Sequence, residues 1–222
     1  MNSAIIRQLV LADLYLLRWM ILGAAAGGAA AIAVIPLGRV PAYVGSVLLI
    51  CALIILNIFL VMSGIVQERK DKVQVFLLSL PLSPMQYTGA KIASNAIGFL
   101  VPWLLLTAAT LVMIRVSWIP DGLIPYFAAI LGYLLTYYCV LLAVGLVSDS
   151  TGWHAVVITC GNVSVNFLIA FLSSLPSVTL HRDGPVAIWT PDIVTLLVVE
   201  VALGAAAIGA GWYFRSRNTD FV

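Results

Sequence analysis

Few residues in this chain pair a reactive or polar side chain with a position from which it could act. Glu200 is the one strong charge inside a long apolar stretch. A carboxyl group at bilayer depth is costly and is by default a functional candidate: it can hold a proton, pair with a bundle neighbour or line a pathway. Asn162 and Asn166 lie four residues apart, so a helix places them on one face. Such amides hydrogen-bond across helices, and these two are the best candidates for polar groups turned into a bundle or toward a pathway. Asn57 and Asn95 are amides of the same kind, read as interhelical glue. Asp149 and His154 make one loose acid–base pairing, the only material for an integral membrane enzyme acting on lipids.

Other chemistry has no motif here. There is no G-x-x-x-x-G-K-[ST] phosphate loop, no H-E-x-x-H and no G-x-S-x-G elbow. The three cysteines, Cys51, Cys139 and Cys160, sit in apolar stretches and read as small packing residues rather than a disulfide framework. No catalytic, metal or cofactor site is expected. Asn162-Val163-Ser164 matches a glycosylation acceptor only by accident, because it falls within an apolar span.

The one long stretch that is both charged and amphipathic is Gln67–Ile92, QERKDKVQVFLLSLPLSPMQYTGAKI. The charged cluster gives way to an apolar run, and Pro81 and Pro84 then break the helical pattern. Ser83 is placed as an N-cap, Pro84 suits the first helical position and Gln86 completes a capping box. Leu82 and Tyr87 take the flanking staple positions. These signals predict a helix that starts at Ser83 and runs through Lys91 into the next apolar stretch. A bent, capped elbow of this kind suits the grip of a partner as well as it suits lipid headgroups.

The elements around these residues follow from composition. Of 222 residues, 63% are hydrophobic and 9% charged, with a mean hydropathy of +1.11. A soluble domain carries about 25% charged residues, so the class is an all-α polytopic membrane protein. The net charge of +2 is too mild to suggest nucleic acid. Charges punctuate six spans, near residues 19–35, 45–66, 93–114, 123–147, 154–175 and 193–214, each within the range of about 17–25 residues that crosses a hydrocarbon core. The first is kept as a span rather than a signal peptide, because its small residues Ala24–Ala26 interrupt the apolar run instead of following it. With the N-terminus inside, Arg7, Arg18, Arg69, Lys70, Lys72, Lys91, Arg215 and Arg217 are cytoplasmic, against Arg39, Arg115 and Arg182 outside. Basic residues resist translocation, so both termini are expected in the cytoplasm of a cell membrane protein. Residues 1–17 mix apolar and polar positions and suggest a separate helix lying in the interface. Gly23, Gly27 and Gly28 form a close-approach face on the first span, for packing within the subunit or between two copies. The chain reads as one domain, 1–222.

The charged cluster, the stretch Phe76-Leu77-Leu78-Ser79-Leu80-Pro81-Leu82-Ser83 and then Lys91 opening a span resemble the membrane subunits of ABC-2-type ABC transporters. In that family an acidic residue after the second span precedes an LLxLPxS stretch and then a lysine; Glu68, Leu77–Ser83 and Lys91 match in order. The layout of six spans agrees over the whole chain, and the motif covers about 25 residues of it. The resemblance implies a permease subunit of an ATP-driven exporter, with a coupling helix between spans two and three that docks on a separate ATPase. The docking residues carried over are Glu68, Arg69, Lys70, Val73, Phe76, Leu77, Leu80, Ser83 and Gln86. ATP and Mg would be bound by that partner, and a second copy or related permease would complete the transporter. Span one lies near the dimer interface in the family. Its connection between spans five and six often carries short re-entrant helices, for which Ser177–Thr190 is short. A hydrophobic or amphipathic cargo, such as a peptide, lipid or drug, fits the apolar composition. The haem-exporter permease of cytochrome c maturation is a narrower version of the same resemblance.

Overall fold

A computed structural model describes residues 2–67, 84–148 and 150–217. Six long helices carry the fold: α1 (Asn2–Val34), α2 (Arg39–Val61), α3 (Pro84–Val116), α4 (Ile124–Val147), α5 (Thr151–Ser174) and α6 (Pro191–Arg217). No strand occurs among the described residues, and all six helices are long and apolar enough to cross a membrane. The protein is a multi-pass membrane protein.

Each expected span corresponds to one of these helices: those at 93–114 and 193–214 fall within α3 and α6, those at 19–35, 123–147 and 154–175 run one residue beyond α1, α4 and α5, and the one at 45–66 runs on from α2 into a π-helical segment. The separate interfacial helix expected before the first span does not form. Nothing between Asn2 and Val34 breaks the helix, so α1 runs 33 residues, about 50 Å at 1.5 Å per residue. That overshoots a hydrocarbon core of about 30 Å. Asp13, in the overhanging part, is held against α3 by hydrogen bonds described below. This part of α1 therefore stands against the bundle, continuous with the span.

The short connections also have local causes. Between α1 and α2 a 3-10 turn, Ile35–Leu37, leads to Gly38, whose φ of +148° and ψ of 178° are rarely open to residues with a side chain. α2 ends in a π-helical segment, Met62–Gln67, whose wider turn departs from the regular ladder. α3 begins at Pro84, the first helical position expected for that proline. Between α5 and α6 there is a single helical turn, Pro176–Thr179, and Gly122 N–H, preceding α4, donates to Gly184 of this connection at 3.0 Å.

α4 is the centre of the bundle. It packs most extensively on α6 and also on α5, α2 and α3, whereas α1 pairs with α2 and α3. Leu131, Leu134, Tyr138, Leu141 and Leu142 of α4 are almost wholly buried. The rings of Phe99 (α3) and Tyr138 stack with centroids 4.1 Å apart. Trp103 Nε1 donates to the Leu131 carbonyl at 3.0 Å, tying α3 to α4. Lipid offers apolar side chains as good a solvent as the protein interior does, so close packing and interhelical hydrogen bonds must hold such helices together. Gly161 shows the first: a Cβ there would run into the Tyr137 ring, so only glycine lets α5 approach α4. Tyr133 shows the second, with its hydroxyl 3.1 Å from the Gly161 carbonyl and 2.7 Å from Ser164 Oγ on α5.

Candidate functional site

The bundle has two unlike ends. One carries the start of α1, the π-helical segment after α2, the start of α3, the α4–α5 junction and the end of α6, and is called the loop end. The other carries the three connections α1–α2, α3–α4 and α5–α6; it is called the cavity end.

At the loop end, polar groups are buried and matched. Lys91 Nζ lies 2.8 Å from Asp13 Oδ1, and Ser94 Oγ donates to Asp13 Oδ2 at 3.0 Å. Asp13, Lys91 and Ser94 are 7%, 5% and 2% exposed. Lys91 also lies 5.8 Å above the Tyr87 ring. Helical periodicity puts Tyr87, Lys91 and Ser94 on one face of α3. This face meets Asp13 of α1, 78 residues away in sequence. A buried ion pair of this kind costs little only while both charges and their hydrogen bonds are present. Close by, Gly64 in the π-helical segment leaves room for the Asn95 amide: a Cβ there would sit 2.7 Å from Asn95 Nδ2. A cavity of about 20 Å³, the room of a single water, lies among Gly64, Thr88, Lys91, Leu146 and Arg215.

In the sequence Lys91 marks only the edge of a span and Asp13 only one of several mixed positions, and nothing local connects the two. The signal available was an acid and a base set in otherwise apolar helical sequence on the same side of the membrane. Of the expected docking residues, Glu68, Arg69, Lys70, Val73, Phe76, Leu77, Leu80 and Ser83 lie outside the described residues, as does Asp149. Gln86 is partly buried in the first turn of α3, one turn before Lys91. His154 is fully buried, with Nδ1 2.7 Å from the Ser150 carbonyl.

At the cavity end a hollow of about 800 Å³ opens between α2 on one side and α4 and α5 on the other. α2 and α5 both pack on α4 but hardly touch each other, which leaves the gap. Its walls include Tyr43, Val47 and Ile50 of α2, Phe127 and Ile130 of α4, and Ile169 of α5. Tyr43 and Val47 are 74% and 42% exposed, so the hollow communicates sideways with the surroundings of the bundle. It reaches from Arg39 to Ile50, about 16 Å along α2, half the thickness of a hydrocarbon core of about 30 Å. Arg39 and Arg182 stand at its rim with Asp183, whose Oδ1 is 3.6 Å from Arg182 Nε. Trp118 Nε1 donates to the Pro36 carbonyl at 2.9 Å, tying the connections α1–α2 and α3–α4 together at the same rim.

The three polar residues expected at a pathway are placed differently from one another. Asn166 lines the hollow, and its Nδ2 donates to the Asn162 carbonyl at 3.1 Å. Asn162 is partly buried beside it, with no hydrogen-bond partner for its side-chain oxygen. Glu200 is 4% exposed and does not line the hollow; neither carboxylate oxygen has a hydrogen-bond partner among the described residues. Its Oε2 faces Gly132 of α4, where a Cβ would lie 2.6 Å away. Its backbone carbonyl accepts a hydrogen bond from Thr136 at 2.9 Å. The glycines of α1 also divide. A Cβ on Gly28 would meet Leu106 of α3 at 2.6 Å, whereas Gly23 and Gly27 face open space.

Among the described residues no group of His, Cys, Asp and Glu could hold a metal ion. The three cysteines are free.

Comparison with known proteins gives one match. The family model described as "ABC-2 family transporter protein" covers residues 36–196, from the 3-10 turn before α2 to the first turns of α6. No curated protein and no solved structure matches the chain. The matched region takes in most of the chain, including the charged connection between α2 and α3 and every lining residue of the hollow except Ile35. This chain belongs to the ABC-2 family of transporter membrane proteins.

Proposed function

We propose that this protein is the permease subunit of an ATP-driven ABC exporter, coupled to a separate ATPase through residues 68–86. The observation that carries this reading is the family match across 36–196 in a chain that lacks a nucleotide-binding motif. An ABC-2 membrane subunit associates with an ABC ATPase, and the one charged connection long enough to be gripped joins α2 to α3. The excess of Lys and Arg at the loop end supports placing that end, with both termini, in the cytoplasm of a cell membrane. The hollow then opens outward and sideways, as the upper part of a route for a hydrophobic or amphipathic cargo.

The buried ion pair gives the coupling a physical course. A partner that moves the connection moves the start of α3. Lys91 and Ser94 hold Asp13, so α1 is carried with α3 rather than left behind. The π-helical segment at the end of α2, an irregular piece of ladder, is the place where α2 can yield. Gly23 and Gly27, unused within the subunit, suit close approach of a second copy or a related permease.

The test is to reconstitute the chain with the ATPase encoded beside it and measure ATP hydrolysis and cargo movement in vesicles. Replacing the charged residues 68–70 and the apolar Phe76, Leu77 and Leu80 should abolish both while membrane insertion stays normal. Normal transport in these variants would remove the proposal.

A further inference from the structure

The hollow at the cavity end has a chemical character that narrows what it takes. Apart from Ser46 and Asn166 its walls are apolar and aromatic, with Tyr43, Val47, Ile50, Phe127 and Ile169 among them, and they reach to mid-membrane depth. Its rim is charged. Arg39, at the first residue of α2, has no acid within ion-pair distance among the described residues, and Arg182 shares the rim with Asp183. The third arginine of this end, Arg115, is outside the hollow and lies 3.9 Å from Asp121. Two cations against one acid thus stand above an apolar slot that opens sideways. A molecule that satisfies both parts has an anionic head and a hydrocarbon tail. A wholly apolar molecule leaves Arg39 unused, and a small soluble anion leaves the slot unfilled.

We infer that the hollow binds an anionic phospholipid, headgroup at Arg39 and Arg182 and acyl chain between α2 and α5. This deepens the permease reading by naming the cargo class, and it rests on that reading for the leaflet from which the lipid enters. The binding itself requires no ATPase. Charge-assisted hydrogen bonds to a phosphate are among the stronger ones. Tyr43 and Trp118 lie beside the rim, at the depth where amphipathic rings favour the headgroup layer.

The experiment is native mass spectrometry of the full chain in detergent, titrated with phosphatidylglycerol or with phosphatidylcholine of the same acyl chains. Wild type should retain phosphatidylglycerol about five- to tenfold better. Arg39→Gln with Arg182→Gln should erase that preference while phosphatidylcholine binding stays as in wild type, and Arg115→Gln should leave it intact. Val47→Trp, which fills the slot, should lower retention of both lipids. The inference is overturned by equal retention of the two lipids in wild type, or by a preference that survives the double arginine change. It is also overturned if glycerol phosphate alone binds as tightly as the lipid. Loss of a two-chain species in Val47→Trp with lipid retention unchanged would overturn it too, and would assign the slot to a second copy. No ATPase enters the measurement. A missing preference therefore leaves the permease reading standing, and a chain that shows the preference but has no ATPase partner sinks that reading alone.

Discussion

The loop end and the cavity end use the same kinds of residue to opposite effect. At the loop end the charged side chains of Asp13 and Lys91 are buried and paired at 2.8 Å, and Lys91 borders a cavity of only about 20 Å³. At the cavity end Arg39 and Arg182 stand exposed over a hollow of about 800 Å³. A buried pair fixes two helices relative to each other, because separating the charges exposes each to an apolar environment. An exposed arginine over open space fixes nothing in the fold and remains available to a ligand. In the proposed function this contrast assigns force transmission to the loop end and cargo to the cavity end. It also implies that equivalent charge removals should have unequal consequences.

The largest effect is expected at the loop end. Asp13→Ala removes the carboxylate that pairs with the buried Lys91 at 2.8 Å and accepts from Ser94, and should cost about 3–5 kcal/mol, seen as a fall in the thermal unfolding midpoint of the detergent-solubilised protein. Adding Lys91→Met should return part of that loss; a double variant no more stable than Asp13→Ala would contradict a direct pairing. Next comes the seam between the two ends. Gly161→Leu drives a side chain into the Tyr137 ring and should cost about 1–3 kcal/mol. The readout is faster proteolysis or cysteine labelling at the α4–α5 junction. A smaller change of opposite sign is expected in α6. Glu200→Met removes two buried oxygens that have no partner among the described residues and should raise stability by about 1 kcal/mol. If transport falls while the unfolding midpoint rises, Glu200 serves transport rather than the fold. The smallest effect belongs to the cavity rim. Arg39→Gln should change stability by less than about 0.5 kcal/mol while altering lipid retention. Equal losses of stability for Asp13→Ala and Arg39→Gln would erase the distinction between the ends.

The six helices were legible because charge is so scarce that each cluster marks a span boundary. The gap between Arg18 and Arg39 delimits the membrane part of α1, and Arg215 the end of α6. Pro84 was legible as a helix start because its geometry is fixed locally. What the sequence hid is tertiary. Asp13 and Lys91 lie 78 residues apart, and nothing local says that α1 and α3 meet there. For the same reason the first 17 residues read as a separate interfacial helix, although Asp13 holds them as a continuation of α1. The hollow has no sequence signature, because it exists only where α2 and α5 stand apart while both pack on α4. Gly23, Gly27 and Gly28 read as one face, but helical geometry turns Gly28 toward Leu106 and leaves the other two open.

The central claim is that an ATP hydrolase in the cytoplasm grips the connection between α2 and α3. A photo-reactive amino acid placed at Phe76 or Leu77 of the full-length chain in intact cells tests it most directly. The account predicts an adduct with an ATP-binding polypeptide, formed from the cytoplasmic side and lost when Glu68–Lys70 are replaced by alanine. Adducts with lipid alone, or labelling of the same positions by a reagent confined to the outside, would contradict it.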